Sequence, residues 1–330
     1  MPDGEPIPAS RFGHSLTAMP GRTGGDEDGK AGEVHVLVLF GGDDGSHLTS
    51  PRNYIGNYFS DTWILTPQTG GVDGGQQLGS IGLRWQRLEQ VGAPEGRSAH
   101  ATFVSRGCLY IFGGFPGPSN DMSRLCSPLS PGAAWEGVHT SLSPPPRYHS
   151  AMVADKEGAV AFLFGGFQSF KVNLNDLWRF DVSASAWQEL LPTSEASAAV
   201  PSPRGGFSLL FAPNSGTTTR LVLFGGATCR PICKCHNDLW EYTLPSGGWR
   251  EVTGDPAHGP STRHKQASVA TEAGLVVFGG EGYRFAHDYH DDLWLLSPAA
   301  PPPQPADSLR ALESRGSGDA AQVGDAQVEL

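Results

Sequence analysis

The 330-residue chain carries little charge: 17% of its residues are Asp, Glu, Lys or Arg, and the formal net charge is −11. No basic run stands against that deficit. Proteins that grip a nucleic-acid backbone or an anionic membrane surface present a basic face, so both partner classes are disfavoured. Long hydrophobic runs are missing as well. The longest apolar stretch is about seven residues, where a membrane-spanning helix needs roughly 20, which argues against membrane insertion. The opening MPDGEPIPAS has neither a basic region nor an apolar core, so no secretory signal is expected. Cysteine is scarce, with five residues, an odd number, and no framework spacing. That pattern predicts free thiols and a reducing compartment, cytoplasmic or nuclear.

What is abundant is glycine, 44 residues, and proline, 27. The hydrophobic 38% is gathered into short runs, which suits an all-β chain of short strands and many turns. One run returns five times: LVLFGG, LYIFGG, AFLFGG, LVLFGG and LVVFGG, ending at Gly42, Gly114, Gly166, Gly226 and Gly280. Spacings of this size point to a repeat architecture. Each repeat opens on an arginine, at Arg11, Arg97, Arg147, Arg204 and Arg263. After the glycine pair comes an aspartate segment: SDTWIL, NDM, NDLWRF, NDLWEY and DDLWLL. A tryptophan run then closes the first four repeats, at Trp85, Trp135, Trp187 and Trp249.

Arginine segment, glycine-ended run, aspartate segment and tryptophan run read as four antiparallel strands. A lone sheet of this size cannot bury both faces, whereas sheets packed radially can. The glycine-ended run, apolar on both sides of the pleat, suits a strand with neighbours above and below. Its glycines permit a turn at positive φ, and the tryptophans are large enough to fill the gap between splayed sheets.

The combination of R-x-x-H-S, φφφFGG, N-D-L-W and W-x-x-L resembles kelch repeats over residues 11–296. The resemblance implies a kelch-type β-propeller with five recognisable four-stranded repeats, a count of six being left open. It also implies protein binding, since most members of the family bind other proteins. Three departures stand out. The second repeat has NDMSRL where N-D-L-W is expected, the fourth has Gly205-Gly206-Phe207 after its arginine, and the fifth has no closing tryptophan strand. A missing strand leaves an edge that needs covering. The expected organisation is a lead-in at 1–10, the propeller at 11–298 and a disordered Pro/Ala/acidic tail at 299–330. Two Gly-rich insertions, 20–32 and 68–80, read as flexible loops.

Function is expected in the loops that follow the glycine pairs, which share one face with the loops between repeats. Phe115 and Phe167 stand directly after glycine pairs in adjacent repeats and would form one apolar patch, extended by Tyr54, Tyr58 and Phe170. Arg97, Arg147, Arg204 and Arg263, with Arg11, would either form a cationic ring for acidic peptides or pair with groups of a neighbouring blade. A rival reading is a metal-dependent enzyme or factor using the polar loops of repeats four, five and one. Its ligands would be Cys229, Cys233, Cys235, His236, His287 and His290, with Asp43, Asp44 and His47. That mixture suits zinc, but C-x₃-C-x-C-H is not a standard spacing, and no metal or other cofactor is expected. GGDEDGK at 24–30 is no phosphate loop, because Ala31 replaces the Ser or Thr and no helix follows. Kelch-like copper oxidases and plant specifier proteins use ligand sets or triads whose spacing is not found here. The reading is thus a non-enzymatic adaptor or effector, similar to small kelch proteins that bind ubiquitin-ligase or trafficking components.

Overall fold

The computed structural model describes residues 6–22, 33–46, 56–68, 82–89, 91–169, 171–190, 199–212, 219–229, 232–245, 247–252, 259–282 and 288–296. Every regular element among them is a β-strand, and none of them forms a helix able to cross a membrane. The tail expected at 299–330 lies outside the described residues, as does most of each insertion. The insertion expected at 20–32 loses its first residues to the strand Ser15–Arg22.

Each repeat folds as an up-and-down antiparallel sheet. The first holds β1 (Ser15–Arg22), β2 (Glu33–Phe40), β3 (Thr62–Gln68) and β4 (Gly82–Arg87) in that order. The second holds β5 (Ala101–Ser105), β6 (Cys108–Phe112), β7 (Met122–Cys126) and β8 (Trp135–Gly137). The third holds β9 (Ala151–Ala154), β10 (Val160–Ser169), β11 (Val172–Asp181) and β12 (Ala186–Glu189).

In the fourth repeat β13 (Ser208–Phe211) and β14 (Thr219–Phe224) are followed by a small ribbon of β15 (Ala227–Cys229) and β16 (Cys233–Cys235), then by β17 (Leu239–Leu244) and β18 (Trp249–Val252). The fifth repeat orders β19 (Ala267–Thr271), β20 (Gly274–Phe278) and β23 (Leu293–Leu296), with β21 (Glu281–Gly282) and β22 (Asp288–Tyr289) forming a second ribbon. Among the described residues its sheet stops at three strands. The segments expected as open loops after the third, fourth and fifth glycine pairs are therefore partly hairpin, because residues beyond each pair find antiparallel partners of their own.

The described chain divides into two compact units. One comprises Met1–Leu191, Ser202–Leu209 and Thr228–Cys233, the other Pro192–Pro201, Leu210–Ala227 and Lys234–Leu330. In the first unit Met19, Val36, Val38, Phe40 and Ile64 of the first sheet pack on Leu109, Ile111, Leu125 and Trp135 of the second. A second cluster joins Phe103, Tyr110 and Phe112 to Leu163, Trp178, Phe180 and Trp187. In the second unit Val222, Phe224, Leu239 and Val252 pack on Leu275, Val277 and Leu296. The tryptophans of β8 and β12 fill the gaps between sheets as their size suggested: Phe40 lies 4.9 Å from Trp135 and Phe112 5.3 Å from Trp187.

The glycine pairs end the central strands at positive φ, for example +69° at Gly113 and +113° at Gly114. A Cβ on Gly113 would sit 2.5 Å from the carbonyl oxygen of Arg147, so the position needs glycine for space as well as for conformation.

Candidate functional site

The leading arginines, expected at a surface, lie inside. Arg97 is 6% exposed and Arg147, Arg204 and Arg263 are at most 1%. Arg147 donates from Nη1 to the carbonyl of Gly165 at 2.9 Å, and its fork meets both carboxylate oxygens of Asp176 at 2.7 Å. Arg97 treats Gly113 and Asp121 in the same way, and Arg263 treats Gly279 and Asp292. Arg11 joins the carbonyl of Gly41 to Asp61. Arg204 donates to the carbonyl and hydroxyl of Ser202.

The aspartates of three of these clamps also accept from the indole two residues on: Trp63 to Asp61, Trp178 to Asp176 and Trp294 to Asp292, at 2.6–2.7 Å. Asp238 accepts from Trp240 in the same way. In the second repeat, which lacks that tryptophan, the hydroxyl of Ser119 serves Asp121 instead. Arginine, first glycine, aspartate and tryptophan therefore form one clamp within a single repeat. The cationic ring is corrected: these guanidiniums are spent inside their own sheets, not on a neighbouring blade or a partner. Electrostatics agree. Hydrogen bonds from Arg263 hold the Asp292 carboxyl well below the usual range. At Asp61 burial pushes upward, but hydrogen bonds from Arg11 and Trp63 outweigh it.

The clamp positions the residues beside it. The residue after each leading arginine pairs, backbone to backbone, with the residue after the glycine pair: Phe12 with Asp43, Ser98 with Phe115, Tyr148 with Phe167 and His264 with Glu281. Both amides donate across each pair, at 2.8–3.0 Å. These short bridges bring equivalent side chains to equivalent places.

In the second and third repeats the result is a continuous aromatic run. Tyr58 lies 5.8 Å from Phe115, Phe115 lies 5.3 Å from Tyr148, and Tyr148 lies 5.6 Å from Phe167. His149 closes the end, 5.9 Å from Phe167. Phe115, Phe167 and Tyr58 are half-buried, and Tyr148 lies beneath them. The structure thus joins Phe115 and Phe167 through Tyr148, which the sequence reading did not single out; its signal was the position after the arginine. Phe12, in that same position, is 61% exposed and was also passed over. Tyr54 and Phe170 lie outside the described residues. Burial, then the charges of Asp43 and Asp44, push the Tyr58 hydroxyl above its usual range.

The polar residues of repeats four and five form no metal site. Cys229 and Cys233 are bonded to each other, as are Cys108 and Cys126, which stand directly opposite on β6 and β7. The expectation of free thiols is thus corrected for four of the five cysteines, and the metal reading loses two ligands. Cys235 is buried, its sulfur 3.3 Å from Nδ1 of His264, whose Nε2 is 3.2 Å from the Glu281 carboxylate. Thiol, imidazole and carboxylate are in line, but a sulfur enclosed this way offers a substrate no approach.

His236 is tied by its backbone to Gly226 and Arg263, His290 reaches Ser261, and His287 lies outside the described residues, as does His47. Among the described residues no three His, Cys, Asp or Glu side chains are grouped to hold a metal ion.

All-β repeats of this construction define a kelch-type β-propeller class, and comparison with known proteins agrees. The model of the KLHDC2/KLHL20/DRC7 Kelch-repeats domain matches residues 2–214 and 133–301, and the chain belongs to that family. It is 28% identical over 223 residues to human Kelch domain-containing protein 3, covering 62% of this chain and 54% of that one. It is 29% identical over 213 residues to the Leucine-zipper-like transcriptional regulator 1 homolog of Drosophila melanogaster, covering 60% and 20%. The chain thus spans about half the length of the first of these relatives, 54%. The solved "Structure of YjhT" shares the fold at a TM-score of 0.59 and 16% identity, over 88% of this chain and 82% of that one.

Proposed function

We propose that the chain is a non-enzymatic protein-interaction module whose partner docks on the aromatic run of the second and third repeats. The observation that carries this reading is the unbroken contact from Tyr58 through Phe115 and Tyr148 to Phe167, with the outer rings half-exposed. Aromatic side chains that are held rigidly and left partly open supply contact area at little entropic cost, which is why they dominate binding hot spots. Membership of the Kelch-repeats family supports the same reading, because kelch propeller domains generally bind other proteins. A ubiquitin-ligase or trafficking component as partner, and a cytoplasmic or nuclear site of action, are the finer parts of this proposal and rest on family analogy.

The test is affinity purification with mass spectrometry from the source cell, comparing wild type with the Phe115→Asp/Phe167→Asp double variant. Binding of the recovered partner to both purified chains is then measured. A partner lost by the variant, with its thermal midpoint kept, supports the surface. A partner held equally by both moves the site elsewhere.

A further inference from the structure

The repeats share one packing rule, and the fifth breaks it. In the first unit the motif phenylalanine of one sheet is covered by the indole from the closing strand of the next: Trp135 on Phe40 and Trp187 on Phe112. Phe40, Phe112, Phe164 and Phe224 are at most 1% exposed, but Phe278, in the same motif position, is 51% exposed. The residue before the motif tryptophan tells the same story: Leu177 and Leu239 are 3% and 4% exposed, while Leu293 is 69%.

Strand register places Phe278 opposite Leu293, and Val269 and Leu295 each opposite Val276, so these side chains share one face of the fifth sheet. The other face, with Leu275, Val277 and Leu296, is in the core of the second unit. The uncovered face is therefore apolar, contiguous and built on regular strands, the kind of surface that marks a contact.

The mating half is carried by the same chain. The first sheet has a closing tryptophan, Trp85, aligned with Leu65 on β3 and through it with Leu37 on β2. Trp85 is only half-buried, whereas Trp135 and Trp187 are buried. Leu83 and Leu16, on the same face by alternation, are 58% and 49% exposed.

We propose that these two faces form an interface between copies of this chain, the Phe278 face of one packing on the Trp85 face of the next. A second copy is favoured over a foreign protein for two reasons. Both halves occur on every chain, in equal numbers. The chemistry is also one the molecule already makes, a motif phenylalanine under a closing-strand indole. The two patches differ, so the contact is heterologous and association runs head to tail.

Sedimentation velocity of the full chain over a range of concentrations tests this. Wild type is expected to populate species larger than the monomer. Phe278→Asp/Leu293→Asp and Trp85→Asp are each expected to be monomeric. Mixed in equal amounts, the two variants should form a 1:1 dimer and nothing larger, because each retains the half the other lacks. Should Phe278→Asp unfold the chain, Leu293→Asp alone, at the more exposed site, carries the same reading. Wild type that stays monomeric, or association that survives both variants, overturns the proposal. So does a monomer whose thermal midpoint falls in both variants, since the faces would then meet within one chain.

Discussion

Arg147 has every group of its fork occupied by its own repeat, and Asp176 has no comparable cation to turn to if it is removed. A buried pair of this kind contributes little net stability over an apolar substitute, but losing one partner strands the other's charge. Arg147→Ala is therefore expected to lower unfolding stability by about 3–5 kcal/mol. Arg124→Ala, which opens a solvent-facing pair with Glu136, should cost at most about 1 kcal/mol. Urea unfolding midpoints of the two variants check the contrast; equal losses would remove the clamp from the account.

Glu281 makes a second residue-scale prediction. The hydrogen bond from His264 comes first and Lys265 adds to it, and against the effect of burial they bring the carboxyl from 4.5 down to about 2. The folded value lies below the unfolded one, so the unfolded chain takes up the proton first as pH falls. The stabilisation is complete above about pH 4.5 and is lost on the way down to about 2. Glu281→Gln should lose less stability than wild type across that window in urea titrations at stepped pH. Parallel curves would show that the carboxylate is not involved.

At the scale of elements, the turn that ends each central strand is where sequence and backbone meet. Gly107 has φ +75° and open space around its missing Cβ, while Gly113 has φ +69° and the Arg147 carbonyl 2.5 Å from it. Gly107→Ala should cost only the left-handed strain of about 1–2 kcal/mol. Gly113→Ala should cost distinctly more, because a backbone carbonyl has to move. Thermal midpoints of the two variants measure the difference.

The strand plan itself was legible. Apolar runs bounded by glycine, and tryptophans at a fixed interval, specify strands and their order through alternation and turn chemistry alone. The ribbons β15–β16 and β21–β22 were not legible, because two- and three-residue strands are held by pairing and have no pattern of their own. Among the site residues, Phe115 and Phe167 could be read from their place after the glycines. Tyr148 and Phe12 could not, since their importance comes from a backbone bridge to another strand.

For the whole molecule, the thiol inventory is a direct check. Four of the five cysteines are paired, and Cys235 alone is free. Alkylation of the denatured, unreduced chain should add one label, and reduction first should raise this to five. Five labels without reduction would return the chain to the free-thiol state that its cysteine spacing suggested, in keeping with a reducing compartment.

The sequence by itself determined the repeat, its strands and the residues of the clamp, because these follow from local pattern recurring along the chain. It could not say which way the arginines point, since a guanidinium placed beside a glycine and an aspartate serves a surface or a core equally well until the strands are paired. Nor could it rank five identical phenylalanines. Only the packing of sheet on sheet buries four of them and leaves Phe278 open, because burial belongs to what lies across the gap and not to the motif.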